Sequence, residues 1–258
     1  MVTKVALVRW STARFYRWNA LLSLIVYVPF ALFVPPRAEA LVGALALSCL
    51  MALTFWVTTE ATRRGPVGIV APLTATSPAI TVALAVALLG EHPGAIALVG
   101  VGCALLAAAL LAYRPVADTA LGGWLALAVA SLVLQGLGAF IAKVVVTDGG
   151  PTTLLVTSAF VQLLVGIAIA RNEPLRLTEH RRGAPLVITL TLIGAAVATI
   201  GYLSALTVGP ASVIVPLVAT SPVVGGLLGI AVLRERASAR QLVGIAIGLL
   251  AITFLAAG

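Results

Sequence analysis

Apolar runs of about twenty residues recur almost without pause from Asn19 to the C-terminus, each able to cross roughly 30 Å of hydrocarbon as a helix. Nine such spans are expected, over residues 19–34, 41–62, 66–89, 95–113, 121–146, 152–170, 184–206, 211–233 and 239–257. The runs are continuous rather than alternating about ten residues at a time, so helices and not barrel strands are expected. Hydrophobic residues make up 61 % of the chain and charged residues only 9 %, so it cannot cover its own surface with polar groups. The connections are too short for a soluble domain, which confines any chemistry to the helical bundle or its mouths.

A net charge of +8 raises the question of nucleic acid, but the basic residues flank apolar spans singly or in small groups, as membrane anchors do. The basic start, with Lys4, Arg9, Arg14 and Arg17, resembles a signal peptide's opening. Pro35, Pro36 and Arg37 follow the first span without a small-residue cleavage site, so that span is kept as structure. Fourteen of the sixteen Lys and Arg residues fall in the N-terminal segment and every second connection; the remaining connections hold only Arg37 and Lys143. The positive-inside rule then puts the richer set in the cytoplasm and the C-terminus outside. Cys49 and Cys103 lie within spans and lack metal or redox spacing, which reads as small apolar packing.

The chain also repeats itself. Gly65-Pro66 and Gly209-Pro210 open stretches that stay in register at an offset of 144 residues. Pro72-Leu73 matches Pro216-Leu217, and Ala75-Thr76-Ser77-Pro78 matches Ala219-Thr220-Ser221-Pro222. Leu89 and Glu91 match Leu233 and Glu235, and Leu98-Val99-Gly100 matches Leu242-Val243-Gly244. Apolar helices share Leu and Ala by chance, but not a proline pair, a Thr-Ser-Pro triplet and a Glu at one offset. The halves are residues 1–115, with four helices, and 116–258, with five. A five-helix unit is odd, so consecutive copies enter the membrane in opposite senses, and inverted repeats of this kind underlie many secondary transporters.

These residues, from Gly65-Pro66 through Ser77-Pro78 to Gly90-Glu91 and from Gly209-Pro210 through Ser221-Pro222 to Arg234-Glu235, resemble the EamA family of the drug/metabolite transporter superfamily. The likeness covers nearly the whole chain. It departs at His92, where a basic residue is usual, and at Arg234, where Gly is usual. What the resemblance implies is an all-α integral membrane protein, an inverted repeat of five-helix units, with the third and eighth spans facing a central cavity. The solute itself is not implied.

Each of those two spans carries prolines six residues apart, Pro72 and Pro78, and Pro216 and Pro222. A proline withholds an amide donor and pushes on the carbonyl four residues earlier, so bends are expected with carbonyls freed near Gly68, Thr74, Ser212 and Val218. Thr74, Thr76, Ser77, Thr220 and Ser221 supply hydroxyls that either satisfy those carbonyls locally or line a cavity. Gln135 and Gln162, near the middles of the fifth and sixth spans, avoid lipid by facing the bundle, where each bonds another helix or a solute. Glu60 is the acidic residue closest to a span interior; it is either an interfacial carboxylate beside Arg63 or Arg64 or an ion or proton site at the cavity mouth. Trp56 and Tyr202 join the cavity candidates, Lys143 either snorkels or holds an anionic group, and Trp124 stands at a helix start where interfacial aromatics are common. The glycines between Gly100 and Gly102, Gly225 and Gly229, and Gly244 and Gly248 read as surfaces for close helix packing.

No carboxylate sits at mid-span, which argues for an uncharged, zwitterionic or anionic solute, or for coupling without a central carboxylate. No catalytic constellation, cofactor motif or metal set stands out. The expected protein is a multi-pass permease of the inner (plasma) membrane, moving a small organic metabolite by alternating access; the alternative is a non-transporting scaffold or accessory protein with the same fold. Its expected partners are a small-molecule solute and the lipid bilayer, with no nucleic acid and with a homodimer left open. Half one lacks a partner for the fifth span. Aligning Lys4 with Lys143 makes residues 1–8 look like the tail of a first helix, so the sequence is expected to start downstream of that helix; the rival expectation is a working nine-helix protein.

Overall fold

Continuous apolar sequence leaves the backbone no partner but itself in lipid, and every regular element among the described residues is helical. The computed structural model describes residues 12–112, 123–169, 184–231 and 238–257. The aligned stretch 1–8 and the residues Asp118, Glu173, Glu179, His180, Arg234 and Glu235 lie outside them. In chain order the helices are α1 (Thr12–Phe33), α2 (Leu41–Arg64), α3 (Val67–Ala75), α4 (Pro78–Leu89), α5 (Ala95–Ala112), α6 (Trp124–Ile169), α7 (Ala184–Val208), α8 (Ala211–Ala219), α9 (Ser221–Ala231) and α10 (Ala239–Ala257). A short 3-10 turn, Ala38–Ala40, precedes α2.

By length and composition five helical stretches among the described residues can cross a membrane: Ala38–Arg64, Ile69–Leu89, Ala95–Ala112, Trp124–Ala168 and Ala239–Ala257. Three shorter apolar helices lie at Arg17–Phe33, Leu192–Val208 and Ala211–Val224. Large apolar side chains such as Phe33, Val42 and Leu88 are left open on the outside, where a lipid chain and not water is their natural neighbour.

The fifth and sixth spans follow one another with hardly a loop, since α6 runs 46 residues as two helical arms joined at a kink. At about 1.5 Å per residue that is roughly 70 Å, more than twice the hydrocarbon thickness, so the helix must turn. It does so at one residue: Gly150 takes φ 70° and ψ 166°, a conformation glycine reaches without strain, and Pro151, which needs no amide partner, starts the second arm. The third and eighth spans, for their part, are broken rather than bent. Thr76 (φ −89°, ψ 2°) separates α3 from α4, and Thr220 (φ −78°, ψ −3°) separates α8 from α9. The proline pairs thus interrupt the two helices at positions 144 residues apart.

The described chain clusters into two compact units, and neither is a sequence half. One draws on Met1–Ala52 and Val144–Thr207, the other on Leu53–Lys143 and Val208–Gly258. Within the first, Asn19 donates to Gln162 Oε1 at 3.1 Å and Ser48 to Thr157 Oγ1 at 3.3 Å, so polar groups at membrane depth satisfy one another. In the second, α5 lies along α10 with very little side chain between them. Gly100 sits beneath Leu255, Gly244 beneath Leu111, and Gly248 beneath Val223, where a methyl group would come within 2.2 Å of the valine. Small residues let backbones approach where lipid gives no hydrophobic drive for helices to associate.

Candidate functional site

Both breaks belong to the second unit and both reach one cavity of about 340 Å³. Its wall takes Thr74, Ser77 and Pro78 from the first repeat, Val218, Ser221 and Pro222 from the second, and Gln135 from α6. Gln135 lies where α6 passes the start of α4. The next residue, Gly136, is buried with no room for a side chain: a methyl group would stand 2.6 Å from Ile80 Cβ and 2.8 Å from the Ser77 carbonyl. The Thr81 hydroxyl donates to the Gly136 carbonyl at 2.9 Å across the same crossing, fixing the height of Gln135 against Ser77.

The break at Thr76 is closed by tight turns rather than left open. Thr76 N–H donates to Leu73 O at 3.2 Å, Ser77 N–H to Thr74 O at 3.1 Å, Ala79 N–H to Thr76 O at 3.0 Å and Ile80 N–H to Ser77 O at 3.1 Å. The carbonyl expected to be freed at Thr74 is therefore taken. Thr74 and Thr76 turn their hydroxyls back onto carbonyls of α3, and Thr220 donates to Leu217 O at 2.6 Å in the matching place. Of the five hydroxyl residues named from the sequence, Thr74, Ser77 and Ser221 line the cavity while Thr76 and Thr220 spend themselves on the turn. The Ser77 and Ser221 hydroxyls take no protein partner among the described residues.

Gln135 is oriented by a chain of hydroxyls. Thr58 donates to Thr54 O at 2.7 Å, so its one hydrogen is committed. The 2.5 Å contact between Thr58 Oγ1 and Ser131 Oγ must then carry the hydrogen of Ser131. Both oxygens are left as acceptors for Gln135 Nε2, at 2.9 Å to Ser131 and 3.4 Å to Thr58. Reversing the carboxamide would set oxygen against oxygens with nothing to donate. Gln135 Oε1 is thereby left as the unspent acceptor of a cavity-lining side chain.

The remaining candidates stand elsewhere. Glu60 meets both its neighbours in the last turn of α2: Arg63 Nε donates to Oε2 at 2.8 Å and Arg63 Nη2 to Oε1 at 2.6 Å, with Arg64 Nε also on Oε1. Trp56 is 55 % exposed, and Tyr202 belongs to the other compact unit; none of the three lines the cavity. Trp124, expected at an interface, is instead buried against Ala61, Val70 and Ala128. Its ring covers Gly65, where a methyl group would come within 2.7 Å of it.

Sequence reasoning missed a contact at the other glycine-proline joint. Gly90 ends α4 in the left-handed conformation, φ 65°, and delivers Glu91 onto the start of α8. The carboxylate accepts Ala211 N–H and Ser212 N–H, each at 2.8 Å, so one oxygen serves each amide. An anion at a helix N-terminus satisfies orphan donors and meets the positive end of the helix dipole. Lys143 Nζ donates to Gly209 O at 2.9 Å on the other side of Pro210. The Gly209-Pro210 joint is thus gripped by a carboxylate after it and an ammonium before it. The match of Glu91 with Glu235 in the repeat was the signal that the glutamate had a fixed task.

The sequence model of the EamA-like transporter family matches residues 1–113 and 122–257. The chain belongs to the EamA-like transporter family. Members of this family are transporters of the drug/metabolite superfamily, and the apolar helices make this one a multi-pass membrane protein. No curated protein matches it significantly. A solved crystal structure whose description names no function is similar in fold, with a TM-score of 0.77 at 12 % identity over 95 % of this chain and 87 % of that one.

Proposed function

We propose that this EamA-like protein carries a small organic solute across the inner membrane by alternating access, with the cavity at the paired breaks as its solute site. One observation carries the reading: helix breaks 144 residues apart in the chain contribute to the wall of a single cavity. Broken helices at corresponding positions of two repeats are where secondary transporters bind their cargo. The two stretches matched by the family support a two-half chain.

Hydrogen bonds between turns support the nine-span path. Glu91 meets Ala211 and Ser212, which supports a common face for the turn after the third span and the turn before the eighth, with an even number of crossings between them. Arg37 Nη1 meets Asp148 O at 3.0 Å, and the same parity then holds between the turns after the first and fifth spans. Four spans intervene in each case. On this path the Gly65-Pro66 and Gly209-Pro210 joints lie on opposite faces, as an inverted repeat requires.

Cysteines replacing Ser77 or Ser221, in a chain lacking Cys49 and Cys103, are expected to react with small polar thiol reagents and to be shielded by a transported solute. A cysteine at Thr220, which is 4 % exposed, should react at least tenfold more slowly. Inertness at Ser77 and Ser221 in folded protein would overturn the site. Solute-dependent thermal stabilisation followed by flux in proteoliposomes tests the function; neither effect across a broad metabolite panel would favour a scaffold. The orientation is checked separately, since a C-terminal reporter that fluoresces only in the cytoplasm should stay dark, and a bright one would reverse it.

A further inference from the structure

We infer that the solute of this cavity is uncharged and presents an N–H or O–H donor to Gln135 Oε1, with an apolar body lying against Ala71, Ala108, Val215 and Val218. The inference rests on the transport reading of the same site and narrows it to a chemical class.

Three observations lead there. First, none of the thirteen described residues lining the cavity is ionisable. Ser77 and Pro78 stand near the middle of the stretch Ile69–Leu89, so the site lies at membrane depth, where a net charge is costly without an opposite charge beside it. Second, at the Thr76 break the backbone does not supply that charge. Helix ends can hold carboxylates and ammonium groups through free amides and carbonyls, but at the Thr76 break the amides of Thr76, Ser77, Ala79 and Ile80 are all spent on i−3 carbonyls, and Pro78 has none to give. Third, the polar equipment is directional. The hydroxyls of Thr58 and Ser131 share one N–H of the Gln135 amide and leave its oxygen unpaired, in a cavity that also holds the hydroxyls of Ser77 and Ser221, which can each donate or accept. A solute group that only accepts would leave Oε1 unpaired, and a site built around one hydrogen bond rejects the analogue that lacks it. Size sets the last bound: 340 Å³ holds roughly eleven waters at about 30 Å³ each, or a solute of about ten non-hydrogen atoms.

The test uses the full chain in detergent and four probes of nearly one shape: phenylacetamide, its N,N-dimethyl derivative, phenylacetate and 2-phenylethylammonium. Phenylacetamide should slow thiol labelling of the Ser221→Cys variant, and raise the thermal midpoint of the unsubstituted chain, at concentrations at least tenfold below those the other three need. Gln135→Glu, which puts a carboxylate where the acceptor stands, should move the preference at least tenfold toward 2-phenylethylammonium. Gln135→Asn, which withdraws the oxygen by one methylene, should weaken the amide several-fold and keeps the test available if the Glu variant does not fold. Equal or better protection by either charged probe, equal protection by the dimethyl derivative, or no protection by any probe in folded protein overturns the inference. Flux separates it from the parent reading. Protection by phenylacetamide without flux of it or of any panel solute refutes transport and leaves the solute chemistry standing; flux of a charged probe with the amide inert does the reverse.

Discussion

Replacing Trp124 by Ala is expected to cost about 3–5 kcal/mol of stability, the usual price of emptying a buried indole site. For a chain of this size that corresponds to a fall of roughly 6–20 °C in the thermal midpoint measured in mild detergent. The indole is 7 % exposed and closes over Gly65, Ala61 and Val70, all too small to refill the space. Because Gly65 lacks a Cβ and Pro66 fixes the entry to α3, the ring is what keeps that joint from opening. Trp56→Ala is the internal control: at 55 % exposure it should move the midpoint little. Equal effects from the two substitutions would show that Trp124 does not hold the joint.

At the second joint the expected effect reaches transport as well as stability. Removing the carboxylate with Glu91→Ala leaves two amides of α8 without partners. Loss of an N-cap costs about 0.5–2 kcal/mol, and here both bonds are charge-assisted, so the upper end of that range is expected. The helix it releases carries Val215, Val218 and Ala219 into the cavity wall, so flux in proteoliposomes should fall at least tenfold even where folded protein is recovered. Glu91→Gln keeps one acceptor oxygen and should fall between. Glu39→Gln, on the exposed 3-10 turn, should change neither quantity. Full flux in Glu91→Ala would mean that α8 does not need the carboxylate to present the wall.

Much of this architecture was legible because lipid imposes local rules. Span positions follow from run length, and the two joints and two breaks follow from prolines and glycines whose backbone chemistry does not depend on distant partners. Gln162 and Gln135 were placed toward the bundle by the cost of a lipid-facing amide, and each indeed bonds a side chain from another helix, Asn19 and Thr58 respectively. What remained hidden was set by partners far away in the chain. Glu91 looks like one turn residue among several until α8, 120 residues later, arrives beside it. Trp124 has the composition of an interfacial anchor, and only the missing side chain of Gly65 turns it into a core residue. The proline pairs marked where the helices fail, but whether the freed carbonyls would be left open depended on i−3 bonds that no periodicity reports. The two arms of α6 meet at a single glycine conformation. The compact units, each drawing on both halves, were invisible for the same reason, since hydropathy records what a segment faces and not which segment.

Arg37 and Lys143 are the two cations on the cation-poor side of the positive-inside count, and each ends on a backbone carbonyl, Asp148 O for one and Gly209 O for the other. In the proposed orientation both must be carried through the bilayer while the chain is being inserted, against the bias that keeps the other fourteen behind. Insertion and final folding therefore place opposite demands on these two side chains. The same charge that resists export is the one that fastens a turn once it arrives, so variants neutral at 37 and 143 should enter the membrane more readily and hold their turns less well.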